Sequence, residues 1–398
     1  MRSGRSGGTL VPMYFDAAAT APMRPEALAA YAAAAEVVGN ASSLHGYGRA
    51  ARALVEDARE CVAADLGAHP SEVVFTSGGT EANNWAVKGL YWAAAAGERV
   101  RRRRHRIIAS AIEHASVLEP ANWLARTCGA ERTLIPVDGD GVARLEELRP
   151  DADTAFVTLM LANNEVGTIE PVAVAAEVAH AAGVPLHTDA ISAVGQIPVR
   201  FGELGADTLS VAAHKVGGPL GVGALLVRRG TPLEPLLHGG GQEQGRHAGT
   251  LDMPGIAGFA AALRAAASSL MESATMVADL RDQLVRGVLA TVPGARLIGP
   301  DPCAEPGARL PGNALFVYPG ADPDALFYAL DSAGVAASVG AACAAGVATA
   351  SHVLLACGVP AADARAALRF SLATTTAPRE VEQLLTLLPG AVASARAI

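Results

Sequence analysis

Short apolar runs rich in Val, Ile and Leu recur along the first two thirds of the chain, at 72–76, 106–110, 155–161, 184–188, 207–211 and 223–227. Between several of them lie Ala-rich stretches of helical length, such as 80–96, 115–127 and 171–182. Runs that are apolar at nearly every position, rather than at every second one, suit strands covered on both faces. Their alternation with helices predicts an α/β fold with a mostly parallel sheet. From 255 to 291 the pattern is helical and long, with Pro293-Gly294 as its stop. A strand near 313–318, a helix near 322–333, a Gly/Ala-rich loop near 338–350 and helical pieces follow. We expect an N-terminal segment, 1–26, packing with a small domain at 261–398, and a large domain at 27–260. The opening MRSGRSGGTLVPMYF reads as a short disordered lead-in, without an apolar stretch of signal-peptide length.

Composition narrows the function. Of 398 residues, 51% are hydrophobic and 18% charged, enough apolar material for a large core and too little charge for a disordered chain. The net charge of −8 and 4% aromatic content argue against a nucleic-acid partner. No apolar run approaches the roughly 18 residues of a membrane span. The five cysteines are odd in number and lack CxxC spacing, which points to free thiols in a reducing, cytoplasmic compartment. Among 31 basic residues only Lys88 and Lys215 are lysines. Arginine stays protonated, so a chain that uses it almost everywhere keeps lysine where an amine must become a nucleophile.

Three segments carry candidate chemistry. FTSGGTEANN at 75–84 ends a strand, turns through glycines and opens a helix, an arrangement whose exposed amides bind anions. An ordinary Ser/Thr-capped helix start has the same appearance. VPLHTDA at 184–190 puts His187 and Asp189 at the carboxyl end of a strand, where open α/β sheets bind ligands, although a capping aspartate would look alike. DTLSVAAHK at 207–215 delivers His214 and Lys215 to the next strand end, where desolvation makes an amine reactive. A phosphate site, a carboxylate for a ring nitrogen and a buried lysine together suggest pyridoxal 5'-phosphate (PLP). Lys88, on the helix after the turn, reads as solvent-facing. The arginine run 101–104 reads as a solvated helix end.

The resemblance then becomes specific. The chain resembles the NifS/IscS-type cysteine desulfurases of the class V aminotransferase family, PLP enzymes of fold type I. It does so through YFDAAATAP (14–22), GNASSLHGYGR (39–49), FTSGGTEANN (75–84), IEHASVL (112–118), NNEVGT (163–168), HTDA (187–190), AHKVGGPLGVGAL (213–225), HGGGQEQGRHAGTL (238–251), GAACAAG (340–346), SHVL (351–354) and RFSLATTT (369–376). The resemblance implies a seven-stranded large domain and a smaller α/β domain. It implies that Lys215 carries the cofactor and moves the Cα proton, and that Asp189 pairs with the ring nitrogen. His114 would stack on the ring as an acid/base. Gly79, Thr80 and His214 would hold the phosphate, and Thr250 would reach the phosphate of the other subunit of a homodimer. Asn164 and Arg369 would hold the substrate carboxylate, and Cys343 would be the nucleophile on a small-domain loop. Implied partners are L-cysteine and a sulfur-acceptor protein, a scaffold or sulfur carrier as in iron–sulfur cluster assembly. Ser192 replaces the usual Gln that bonds the cofactor's phenolic oxygen, Ala212-Ala213 removes a phosphate hydroxyl, and Gln244 and His247 stand where arginines are usual. A selenocysteine lyase, another class V enzyme such as an aminotransferase, or a non-catalytic partner protein are the alternatives.

Overall fold

A computed structural model describes residues 12–96, 104–339 and 350–398. Its strands are β1 (Met13–Tyr14), β2 (Val73–Thr76), β3 (Arg106–Ser110), β4 (Glu131–Ile135), β5 (Thr154–Thr158), β6 (Leu186–Asp189), β7 (Thr208–Ala212), β8 (Gly223–Val227), β9 (Arg296–Ile298), β10 (Asn313–Val317), β11 (Val335–Ala336), β12 (Ser338–Val339) and β13 (Ala367–Ser371).

The seven-stranded sheet runs β2-β8-β7-β6-β5-β3-β4. Only β8 pairs antiparallel to its neighbours, and the other pairings are parallel. The expected mostly parallel α/β sheet is therefore present. Five of its strands, β2, β5, β6, β7 and β8, are buried at every position, as the unbroken apolar runs demand. The strand the hydrophobic pattern misses is β4. Its ERTLI is exposed at four of five positions, because an edge strand needs no apolar face.

A second sheet, β12-β13-β10-β9, lies in the C-terminal third. Strand β13 falls where the Ala-rich sequence suggested helical pieces; its neighbours on both sides, β10 and β12, override local propensity. The stretch 255–291 is two helices, Met253–Ser268 and Leu270–Thr291, separated at Ser269. The Ser268 and Ser269 hydroxyls both donate to the carbonyl of Ala265, competing with the helix's own hydrogen bonds. Apolar packing divides at that break. Ile256 to Ala266 belong to the core of the large sheet, and Val277 to Val288 to that of the small one.

Residues 13–15 correct the expectation of a disordered lead-in. Met13 and Phe15 are buried in the small-sheet core, and β1 pairs in parallel with β11. The next residues cross back to the large sheet, where Ala21 N–H donates to His214 O and Arg24 N–H to Gly217 O.

Candidate active site

The carboxyl ends of β2, β3, β5, β6 and β7 open into one cleft, the place where a doubly wound sheet binds its ligands. That cleft brings together Gly79, Thr80, His114, Asn164, Asp189, Ser192, His214 and Lys215, eight residues singled out from sequence. Arg369 and Thr250 do not line it. Arg369 lies on β13 and is buried, while Thr250 is exposed on the 238–251 loop. Cys343 lies outside the described residues.

After β2 the chain turns through Ser77-Gly78 into the Gly79–Ala96 helix. Gly78 has φ +146°, which side chains rarely adopt. A Cβ on Gly79 would stand 2.2 Å from Ile191 Cδ1 and 3.3 Å from Ala212 Cβ, so glycine lets the turn sit close against both side chains without displacing Ile191. This leaves the first amides of a long helix facing the cleft, a ready seat for an anion. Glu81, one turn in, accepts from Ser77 N–H at 2.6 Å and from Ser77 Oγ at 2.5 Å.

Asp189 ends β6, buried. Its Oδ1 accepts the Ile191 N–H at 2.9 Å and its Oδ2 accepts from Asn83 Nδ2 at 2.7 Å. His114 is the N-cap of the Ala115–Cys128 helix: its Nδ1 accepts the Ser116 N–H at 3.1 Å and faces Ser116 Oγ at 2.7 Å. Burial lowers its pKa, with Lys215 and His352 adding to the fall while Asp189 opposes it. Lys215 follows β7 on a short 3-10 turn. Its Nζ donates to the carbonyls of Ala18 and Ala19. Burial and, next, the Arg369 charge lower its pKa to about 8, against the pull of Asp189 and Asp16. The neighbouring His214 is pushed down to about 4 by burial and by Lys215, and its Nδ1 lies 3.2 Å from Thr20 Oγ1. Arg369 donates to Asp16 Oδ1 at 2.7 Å and to the Asn164 carbonyl at 3.0 Å. Its Nε is buried without a hydrogen-bond partner among the described residues.

Sequence reasoning missed Asn83, Ser116, Asp16 and the Ala18 and Ala19 carbonyls. Asp16 and both alanines lie inside the quoted YFDAAATAP block, yet nothing in that block says it folds over Lys215. Lys88 is placed elsewhere, with its Nζ 5.0 Å from the centre of the Trp123 ring. None of the four described cysteines lines the cleft. Cys357 is buried, and desolvation pushes its thiol up to about 12.

This sheet, turn and lysine define the class. The model of the aminotransferase class-V family matches residues 13–384, and the chain belongs to that family. Within it the chain belongs with the IscS-like cysteine desulfurases. It is 50% identical over 387 residues, 96% of this chain and 97% of the relative, to an "IscS-like cysteine desulfurase" of Mycobacterium tuberculosis (strain ATCC 25618 / H37Rv). It superposes with a TM-score of 0.88 on a solved "NIFS-like protein", at 36% identity, covering 96% of this chain and all of that one. A structure titled "SspA in complex with cysteine" matches at TM-score 0.77 and 30% identity, over 92% of this chain and all of that one.

Proposed function

We propose that the protein is a cysteine desulfurase that uses PLP to convert L-cysteine to L-alanine and passes the sulfur, as a persulfide on Cys343, to an acceptor protein. The observation that carries the reading is Lys215. It is one of two lysines in the chain, is held in the cleft with a pKa of about 8, and shares that cleft with Asp189. The relatives' names and the cysteine in the matching SspA structure support the substrate.

The residues fit the cofactor. The Gly78-Gly79-Thr80 turn offers helix-start amides for a phosphate, and Gly79 lets that turn lie close to Ile191 and Ala212 on the cleft wall. Asp189, with two donors on its outer oxygens, keeps acceptor capacity for a ring N–H. When bound, PLP supplies an electron sink that makes the Cα proton of an amino acid acidic and its β-sulfur labile. Lys215 would hold the cofactor covalently and then move the Cα proton, work that a buried amine titrating near 8 performs at neutral pH. His114 would cover the ring, and Gly79, Thr80 and His214 would hold the phosphate. Ser192 would face the phenolic oxygen. Asn164 and Arg369 would orient the substrate carboxylate, the guanidinium through a planar fork. The Cys343 thiolate would attack the substrate sulfur. The C–S bond breaks, the sulfur stays on Cys343 as a persulfide, and the carbon skeleton leaves as alanine after Cα and Cβ gain protons.

A homodimer is part of this reading. Leu28, Tyr31, Val38, Leu44 and Tyr47 are exposed along the first two helices and the segment joining them, an apolar face that a second copy would cover, and Thr250 stands exposed to reach a partner's phosphate. Among the described residues no helix is long and apolar enough to cross a membrane. A cytoplasmic setting and delivery of sulfur for iron–sulfur cluster assembly complete the reading.

The test is Cys343→Ala. The variant is expected to keep PLP and bind L-cysteine. It should form no protein persulfide, and alanine production in the presence of a sulfur acceptor should cease. Alanine formation at the wild-type rate would overturn the mechanism.

A further inference from the structure

A directed chain of hydrogen bonds runs beneath the cleft, reaching Asp189 and His114 through Thr208, His187, Asn83 and Ser116, to which no role has been assigned. Thr208, His187 and Asn83 are fully buried, and Ser116 and Asp189 nearly so. Thr208 Oγ1 lies 2.9 Å from His187 Nδ1, and His187 Nε2 lies 3.2 Å from Asn83 Oδ1. Asn83 Nδ2 then donates twice, to Asp189 Oδ2 at 2.7 Å and to Ser116 Oγ at 2.8 Å. Ser116 Oγ is 2.7 Å from His114 Nδ1.

The direction of the bonds around Asn83 follows from one fact. The Asp189 carboxylate accepts and does not donate, so the NH2 end of Asn83 faces it and the carbonyl end faces His187. His187 therefore presents a proton on Nε2 to Asn83 Oδ1, while its Nδ1 lies against Thr208. Burial, which drives the His187 pKa down to about 3, keeps it a neutral ring with one proton to place. At the other end, Ser116 Oγ accepts from Asn83, which turns its own proton toward His114. The Ser116 N–H reaches the same nitrogen. With two donors aimed at Nδ1, the ring proton of His114 sits on Nε2.

We propose that Asn83 is a positioning residue for both cofactor-facing groups: its amide aims the Asp189 carboxylate and, by orienting the Ser116 hydroxyl, adds the second of the two donors that hold His114 in the Nε2–H tautomer. Acid/base work on one side of the ring and charge support at its nitrogen are thereby set by a single side chain, one that touches neither cofactor nor substrate. The inference rests on the reading of Asp189 and His114 as cofactor-facing. Its first measurement is made without cofactor.

The experiment is 15N NMR of the histidine rings in the apoprotein, with His114 assigned by its loss in His114→Gln. Wild type is expected to show a pyridine-type Nδ1 and a pyrrole-type Nε2 for His114. Ser116→Ala keeps the backbone donor but loses the hydroxyl, so the single tautomer should persist with its Nδ1 resonance shifted, and Ser116→Thr, which keeps the hydroxyl, should restore the wild-type position. Asn83→Leu, of similar volume but without donors, should shift the same Nδ1 resonance, because the Ser116 hydroxyl is no longer oriented. It should also raise the Kd for PLP about tenfold, a charge-assisted bond being lost. It should shift the pH at which the visible band of bound PLP changes. Ser116→Ala should leave that Kd within about twofold, because the Asp189 branch is intact. Asn83→Ser takes the place of Asn83→Leu if the latter does not fold. A wild-type His114 protonated on Nδ1, or an Asn83 variant with unchanged Nδ1 resonance and unchanged Kd, overturns the proposal. Failure of the wild type to bind PLP overturns the cofactor reading instead and leaves the tautomer result standing.

Discussion

His247 Nε2 stands 2.6 Å from Glu81 Oε1, tying the glycine-rich 238–251 loop to the first turn of the Gly79–Ala96 helix. Burial alone would raise the Glu81 pKa. The bond from His247 and those from the Ser77 hydroxyl and amide overcome it and hold the carboxyl at about 2. Glu81 is thus an anion beside the proposed phosphate seat, and His247 is the cation-capable group that answers it. His247→Ala should raise the Kd for PLP about tenfold, since an unanswered carboxylate repels the phosphate, and His247→Arg should keep it near wild type. Equilibrium dialysis of PLP decides, and equal Kd values for all three proteins would remove His247 from the cofactor's support. The stability that Glu81 contributes is present above about pH 4.5 and lost as pH falls toward 2, so Glu81→Gln should flatten the acid limb of urea unfolding below pH 4.5.

Burial of Lys215, reinforced by Arg369, has a kinetic signature. An amine with a pKa of about 8 is half free at that pH, so capture of PLP by the apoprotein should speed up with a midpoint near 8 rather than near 10.5. Arg369→Gln removes the second contributor and should move that midpoint upward. Stopped-flow absorbance across pH 6–10 measures both, and an unshifted midpoint in the variant would show that desolvation acts alone.

Ala212 ends β7, and its methyl backs onto the glycine turn, 3.3 Å from where a Gly79 Cβ would lie. A hydroxyl at this position would face the same seat as the helix-start amides. Ala212→Ser should therefore tighten PLP by about 1 kcal/mol, roughly fivefold in Kd, the worth of one added hydrogen bond to an anion. A looser complex in dialysis would show that the seat has no room for the oxygen.

Glu170 is buried; its Oε2 accepts the Ala143 N–H at 2.9 Å, and its Oε1 has no hydrogen-bond partner among the described residues. Desolvation pushes its pKa up to about 8, with only the Ala143 bond pulling it down. A raised carboxyl pKa makes the fold most stable below about 4.5, where both states are protonated, and costs stability as pH climbs to 8. Glu170→Gln should then be close to neutral at pH 4.5 and stabilising by about 2 kcal/mol or more at pH 8, at roughly 1.4 kcal/mol per pH unit of displaced titration. Urea midpoints at the two pH values test the difference, and an equal effect at both would place the effect of the substitution outside proton linkage.

What could be read without coordinates is what shows in local pattern. Asp189 and Lys215 declare themselves because a polar group at the end of an apolar strand is costly, and because lysine is scarce in this chain. The Ser77–Thr80 turn declares itself through its glycines. Asn83 does not: a polar residue one turn into a helix has the pattern of a solvated face, and only the strand-end Asp189 beneath it makes it a hub. The carbonyls of Ala18 and Ala19 leave no trace in side-chain chemistry at all. Strand β13 hides in ARAALRFSL because alanines favour helices, and its two neighbouring strands are what straighten it. Cysteine chemistry is legible only by resemblance, through the block that holds Cys343.

The strap over Lys215 also sets an order of events during synthesis. Ala18 N–H bonds to Ser371 Oγ, 353 residues further along, and β1 pairs with β11. Residues 13–18 thus wait for partners at 335–336 and 371. Until the small sheet exists, Asp16 lacks Arg369, and the segment whose Ala18 and Ala19 carbonyls accept from Lys215 lacks its anchorage. The surroundings that lower the Lys215 pKa are therefore finished late, since Arg369, the second contributor to that fall, lies 154 positions beyond the lysine it acts on.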